Sequence, residues 1–437
     1  MDHRICSSES DREEDTVVRF VNNLQTYEVL LGKTHKTYNF HENSKTQKLT
    51  NLQTQKLINS YSTLDLLIEL LQVALGNRVC LSRNASNEEW NDLMNTAVKQ
   101  TIPGVLFDGI EKLPVEQRPE RPILLKWYAT VERIEKRNDQ MDYYTRNVMM
   151  RFMMDGFKAL ILKGQGNARM YPNPYRRQSG DIDIWLVVDG KTPREGRDDV
   201  VRYVLGYFPH AQVLYHHTVF FALAKIGIDI EPHYMPSWLN NPFKNARLQR
   251  WFEEQVPIQF GEPRNAISLP NNYGDIYVPT REFNVVFQLL HIYRHLYSDG
   301  IGLRQIIDYY YLLVQEEHTE MPEIIYKLGL DDFAAALMYV LKKMCGIEDK
   351  YMLCKPHEKH GEFLLNEIMM AGNFGLYDER NPFNTHESMI HRFYRRQKRN
   401  LNFIHFYPSE IIWALYFTVW QRLWRLKKGY TTFFSKK

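Results

Sequence analysis

The hydrophobic period of this chain changes near its middle. Upstream, apolar residues recur three and four apart, the spacing of amphipathic helices. From residue 157 that spacing stops, and two short runs follow, KALILKG (158–164) and DIDIWLVV (181–188). Apolar runs of this length, closed by Gly164 and by Asp189-Gly190, read as buried strands. A helix is predicted over 198–208. The stretch HHTVFFALAKIGIDIEPHY then reads as two strands around turn residues 225–227. An otherwise helical chain must therefore fold around a small sheet, and one strand of that sheet begins with aspartates two apart.

On either side the pattern is helical. A helix starts at residue 62 or 63, where Ser62 or Thr63 can cap it, and a second amphipathic helix is predicted over 87–110. A long one is predicted over 123–156. Further helices follow over 283–300, 303–316 and 331–346. Residues 1–60 are rich in Asn, Thr, Lys, Gln and Ser and read as a flexible arm, with one short helix over 17–31. The organisation expected is an arm (1–60), a helical module (61–156), an α/β core (157–270) and a C-terminal helical region (271–437) with a basic, aromatic tail. With 437 residues and 44% hydrophobic content, the chain has material for two or three domains with real cores.

A formal net charge of +3 argues against a dedicated nucleic-acid binder, which carries a larger basic excess. Four cysteines stand at 6, 80, 345 and 354, too far apart for a zinc knuckle or a redox pair, and read as reduced thiols. The N-terminus lacks the apolar stretch of a signal peptide. The most apolar window, 411–424, is too short to span a membrane and contains Gln421 and Arg422. The expected location is cytoplasmic.

The chemistry is concentrated in the strands. Asp181 and Asp183, two apart on a strand, share one face while Ile182 and Ile184 take the other. Two neighbouring carboxylates repel unless a cation lies between them, and Mg2+ takes oxygen ligands while leaving positions open for phosphate oxygens. A third carboxylate from a neighbouring strand would complete such a site. The later strand IDIEPHY supplies Asp229, Glu231 and His233 on one face. Glu231 is favoured as the third ligand, with Asp229 second; His233 suits a structural hydrogen bond or a catalytic role equally. Gly164 and Gly166, flanking Gln165, would let backbone N–H groups approach a phosphate. Lys163, Arg169, Arg176 and Arg177 would add charge against its oxygens.

Taken in order, these residues resemble a known family. LILKGQGNARMYPNPYRRQSGDIDIWL (160–186) is similar to the signature of the polymerase-beta-like nucleotidyltransferase superfamily. It is closest to a branch of bacterial proteins described as uncharacterised nucleotidyltransferases. That branch carries a strand-end LKG, a Y-P-x-P…R…G-D-I-D segment, an acid–apolar–E–x–H strand, then H-x-Y-x-H and L-x-x-I-x-D in a helical region. Here these are Leu162-Lys163-Gly164, Tyr171 to Pro174 with Arg177, Gly180 to Asp183, Glu231-Pro232-His233, His291 to His295, and Leu303 to Asp308. The resemblance covers roughly 62–320. The wider superfamily places a serine directly after the strand-end glycine, where this chain has Gln165.

The resemblance implies an α+β fold, a small mixed β-sheet flanked by N-terminal and C-terminal α-helical regions. It implies that Asp181 and Asp183 bind Mg2+ (or Mn2+) and an NTP, with Lys163, Gly164, Gln165, Gly166 and Arg177 at the phosphates. A third acid would activate an acceptor hydroxyl, and pyrophosphate would leave. The acceptor would be a small molecule, such as a sugar or phospho-sugar in surface-polysaccharide synthesis, a protein side chain or an RNA end; the near-neutral charge favours a small molecule or a protein. His291, His295, Arg304 and Asp308 fall at helical spacings and could line its pocket together with His233. Against that, Asp308 one turn from Arg304 also reads as a purely structural pair. The alternative function is a catalytically inactive nucleotide-binding or scaffold module. The tail (391–430) reads as a packed helix with a solvated basic face, as a peripheral contact on an anionic membrane, or as a polyanion contact.

Overall fold

The computed structural model describes residues 63–214, 218–223, 226–382 and 389–430. The expected arm and the short helix over 17–31 lie outside the described residues. At the centre is a five-stranded mixed sheet: β1 (Phe157–Ile161), β2 (Ile182–Val188), β3 (Gln212–Leu214), β4 (Thr218–Leu223) and β5 (Ile228–His233), in the order β1-β2-β5-β4-β3. β4 and β5 pair antiparallel, as their spacing predicted. β2 and β5 pair in parallel, so the chain crosses the sheet between them, through a helix (Pro193–Tyr207) and the β3–β4 hairpin. That crossing puts Asp183 directly beside Glu231 and Trp185 beside His233.

β2 is buried on both faces. Ile182, Ile184 and Leu186 point into one core, against Val200, Val201 and Val204 of the crossing helix. Trp185 and Val187 point into the other, where Trp185 stacks on Phe283 with centroids 5.4 Å apart. Asp183 shares the face of Trp185. It is a carboxylate on a central strand, under helices.

Those helices come from both halves of the chain. The N-terminal part comprises α1 (residues 63–75), α2 (Asn87–Lys99), α3 (Pro103–Lys112) and α4 (Arg121–Met154). The single helix expected over 87–110 is two. Thr101 adopts φ 57°, Pro103 lacks the N–H that a continuing helix needs, and Gln100 donates its side-chain amide to the Ile368 carbonyl at 3.0 Å. α4 runs 34 residues beneath the sheet and ends at Gly156, φ 89°.

After β1 come α5 (Gln165–Ala168), α6 (Pro193–Tyr207) and α7 (Pro242–Phe260). A short hairpin, β6 (Ala266–Leu269) with β7 (Gly274–Tyr277), occupies what reads in sequence as a connection; its strands are too short to carry a period. α8 (Arg281–Ser298) and α9 (Leu303–Leu313) cover the Asp183 face. Beyond them lie α10 (Glu323–Leu328), α11 (Asp331–Cys345), α12 (Glu358–Ala371), α13 (Met389–Leu401) and α14 (Pro408–Lys427). The whole is an α+β fold with a small mixed sheet between helical layers. Among the described residues, no helix is long and apolar enough to cross a membrane.

Candidate active site

Asp183 is 2% exposed. Lys163, just past the end of β1, forms an ion pair with its Oδ2 at 2.9 Å, and His233 Nε2 lies 3.0 Å from its Oδ1. Burial alone would raise the Asp183 pKa, but Lys163 and the His233 hydrogen bond more than offset it and hold the carboxyl ionised. Burial would lower His233, yet the carboxylates of Asp183 and Glu231 outweigh it and raise the imidazole above its ordinary value. Glu231 Oε2 stands 3.5 Å from the same His233 nitrogen. One ligand atom each from Asp183, Glu231 and His233 lies within 4.8 Å of the others.

This cluster fits a divalent cation: two carboxylates and an imidazole, fixed by neighbouring strands and already closely grouped. Asp181 precedes the strand and stands outside the cluster, on the wall of the cavities beside it. Its pKa is pushed up to about 6 by burial and by Asp183, against the pull of Lys163. Asp229, the alternative third acid, is exposed opposite Ala222 and lines neither cavity.

Two cavities meet at Lys163 and Asp181. The first is a channel of about 30 Å³ lined by Gly164, Gly180, Arg177, His291, Arg304 and neighbours. Gly164 adopts φ 58°, in the region that disfavours a side chain. Arg304 donates to the Gln178 carbonyl at 2.9 Å and lies against Gly180. His291 Nε2 is 3.2 Å from Lys163 Nζ; burial and that ammonium push the imidazole pKa well down, so neutral His291 accepts from Lys163. Asn167 and Gln288 exchange amide hydrogen bonds at 3.0 and 3.1 Å, tying the glycine turn to α8.

The second cavity is wider, about 450 Å³. Glu231 opens onto it. Its walls come from Trp238 and Asn240 after β5, from Arg294, His295 and Tyr297 on α8, and from Ala414, Phe417 and Gln421 on α14. Phe374 borders both cavities in a left-handed conformation, φ 53°, with its ring 5.6 Å from His295. That conformation costs a non-glycine residue about 1–2 kcal/mol.

Several residues proposed for phosphates are turned elsewhere. Gln165 is buried and hydrogen-bonds Asp142 on α4. Gly166 is packed closely, since a Cβ there would stand 3.1 Å from a Val278 methyl. Arg169 faces Asp142, and Arg176 faces Asp108, Glu111 and Glu135, outside both cavities. Arg177 lines the channel but grips Asp308 with two hydrogen bonds of 2.7 Å, and Tyr171 Oη adds a third at 2.6 Å. Asp308 therefore pairs with Arg177, not with Arg304 one turn away. The residues that sequence reasoning missed are Asn167, Trp238, Gln288, Arg294 and Phe374. Of these, Asn167 lies within the quoted 160–186 segment and Arg294 within the His291 to His295 stretch; the others carry no local signal.

The arrangement is a carboxylate pair on adjacent parallel strands, beside a channel lined by glycines and cationic side chains. The chain belongs to the uncharacterised nucleotidyltransferase family, whose model matches residues 86–346. A solved structure, an antigenic nucleotidyltransferase-like protein from Paracoccidioides brasiliensis, is similar at 16% identity over 47% of this chain and 94% of that one, with a TM-score of 0.29. No curated protein matches.

Proposed function

We propose that this protein is a divalent-metal-dependent enzyme. It moves a nucleoside monophosphate from an NTP to a hydroxyl of a small-molecule acceptor. The observation that carries this reading is the register of β2 and β5, which sets Asp183 beside Glu231, the carboxylate that opens onto the wide cavity. Asp183, Glu231 and His233 would hold the cation, with Asp181 at its edge. A bound cation would supply positive charge against the phosphates. The channel, with Gly164, Gly180, Arg304 and Lys163, would take the triphosphate. The wide cavity, onto which Glu231 opens, would take the acceptor.

In the transfer, Glu231 accepts the proton of the acceptor hydroxyl. The oxygen bonds to the α-phosphorus, the bond from that phosphorus to the bridging oxygen breaks, and pyrophosphate leaves with the electron pair. Lys163 stays protonated throughout. Burial works against its charge, but Asp183, Asp181 and Glu231 outweigh burial and raise its pKa.

The test is label transfer from each α-phosphate-labelled NTP with Mg2+ or Mn2+ to a small-molecule extract. Asp183→Asn should lower transfer by roughly 10²–10³-fold with unchanged circular dichroism, because the amide preserves the shape while weakening a charged site. Equal transfer by wild type and variant would refute the assignment. The second reading is an inactive nucleotide-binding module, favoured by the narrow channel and by the engagement of Arg177 with Asp308. It predicts NTP binding by calorimetry with no label transferred.

The outer face of α14 supports a peripheral contact with anionic membrane. Ile412, Leu415, Tyr416, Val419 and Leu423 recur at helical spacing and are all exposed, with Arg422 and Lys427 of the same helix exposed as well. Full-length protein should sediment with phosphatidylcholine vesicles containing phosphatidylserine, and less with phosphatidylcholine alone. Leu415→Asp with Leu423→Asp should remove that binding. Absence of sedimentation, or a solution dimer dissolved by the same substitutions, would assign the face to another partner.

A further inference from the structure

Arg294 is set apart from the other buried arginines of this site. It is 8% exposed, on the penultimate turn of α8, and its guanidinium lies 3.7 Å from the centre of the Trp238 ring. Its Nη2 donates to His295 Nε2 at 3.2 Å. His295 is held neutral by burial and by Arg294, and its Nδ1 lies 3.4 Å from Asp299, which leaves Nε2 to accept. The Nε of Arg294 is buried without a hydrogen-bond partner, and no carboxylate pairs with this guanidinium among the described residues. Arg177 by contrast grips Asp308, and Arg399 donates to the carbonyls of Leu296 and Tyr297. A buried cation with no carboxylate at ion-pair distance is costly, even with Asp299, Glu231 and Asp183 acting on it from further away, and a guanidinium held against an indole keeps its remaining donors oriented. Those donors are on the wall of the wide cavity.

We propose that the acceptor carries an anionic group and that Arg294, braced on Trp238, is the residue that binds it. This deepens the nucleotidyl-transfer reading and rests on it. The charges of the cavity orient such a molecule. Asp181 and Glu231, beside which the hydroxyl would react, repel an oxyanion, and Arg294 on the same lining attracts it. Asp299, the other acid of the lining, faces His295 and accepts from the Ser298 hydroxyl at 2.7 Å. Asn240, Asn400, Thr418 and Gln421 add amides and a hydroxyl to the same lining, groups that hydrogen-bond a polyhydroxylated ligand. A volume of about 450 Å³ is in the range of small-molecule sites. The ligand class is therefore a small, hydroxyl-rich molecule bearing a phosphate or a carboxylate.

Two measurements test this. In the first, inorganic phosphate and, separately, acetate are titrated into metal-free full-length protein by calorimetry. Wild type, Arg294→Met, Arg294→Lys and Arg304→Met are compared, each checked by circular dichroism. Arg294→Met should remove a phosphate site that Arg304→Met retains, and Arg294→Lys should restore part of it. Binding by Arg294→Met equal to wild type would overturn the proposal whether or not the protein is an enzyme. In the second, a small-molecule extract is split by anion exchange into neutral and anionic fractions and offered with labelled NTP. Label should enter the anionic fraction. Prior phosphatase treatment abolishes transfer if the group is a phosphate and spares it if it is a carboxylate. Arg294→Met should raise the acceptor KM roughly 10- to 100-fold, the loss of one or two charged hydrogen bonds, with little change in the KM for NTP. Transfer into the neutral fraction alone, or a rise in the NTP KM instead, would sink the proposal. If wild type transfers no label at all, the catalytic reading falls, and the first measurement still decides whether Arg294 binds an oxyanion.

Discussion

At the scale of single residues, the site is an arrangement of buried charges, several of them held by a specific counter-charge. Asp308 shows the energetic consequence. Burial would raise its pKa, but the bidentate Arg177 contact overcomes this and holds the carboxyl below its ordinary value. A carboxyl with a folded pKa below the unfolded value of about 3.9 binds fewer protons when folded, so its contribution rises with pH. That contribution is complete above the ordinary carboxylate range and is lost as pH falls through the lower folded value. Asp308→Asn should therefore destabilise the protein at pH 7 by about 3–5 kcal/mol, since Arg177 is left buried without its partner. Denaturant melts should show the gap between wild type and variant closing below pH 4; a gap independent of pH would refute the ion-pair account. The sequence marked Arg177, Arg304 and Asp308 as important. It pointed to the wrong partner because a helical i,i+4 spacing is visible in a sequence, whereas a contact between residues 177 and 308 is not.

At the scale of elements, the acceptor cavity depends on how α14 is attached. Glu410, in its first turn, is buried and accepts from the backbone N–H of Asn240 at 2.6 Å and from that of Asn241 at 3.4 Å. Ser409 accepts from the Asn241 side chain at 2.8 Å, while Asn241 Oδ1 caps α7. One carboxylate thus joins α14, α7 and the loop after β5, and α14 supplies the wall opposite Glu231. Glu410→Ala would leave two backbone N–H groups without partners, at roughly 1–3 kcal/mol each. Hydrogen exchange should accelerate across α14 while β1 and β2 stay protected, and the acceptor KM should rise with the helix loosened. Uniform acceleration throughout the chain would mean that Glu410 supports the whole fold and not this one element. Periodicity made the helices over 123–156, 283–300, 303–316 and 331–346 legible, as it did the strands at 157–161 and 182–188; α7 carried no such expectation, and a helix was one of three readings of the tail that contains α14. The break at Thr101 and the β6–β7 hairpin were not: the first interrupts a continuous apolar pattern, and the second is too short to show one.

At the scale of the whole molecule, the sheet has a core on each face, and the carboxylates sit where the face under α8 and α9 opens between helices from distant parts of the chain. A cation held by Asp183, Glu231 and His233 binds only the native arrangement, so it should stabilise by mass action. Saturating Mn2+ at about 100 times its Kd adds about 2.7 kcal/mol, a rise of several degrees in Tm. Mn2+ should exceed Mg2+ because one donor is an imidazole nitrogen. Thermal melts of Asp183→Asn should show the shift reduced or absent; a full shift in the variant would place the cation elsewhere. The sequence by itself determined the helix-to-strand switch, the strands themselves, the alternation that sets Asp183 opposite the isoleucines, and the family to which the chain belongs. Those are local properties, fixed by spacing along one segment. Only the tertiary structure decided that Glu231, not Asp229, stands beside Asp183, that Gln165 turns away, and that Trp238, Arg294 and α14 close a second cavity. Each of these depends on the parallel register of two strands far apart in sequence, or on contacts between helices, which packing selects and no single segment encodes.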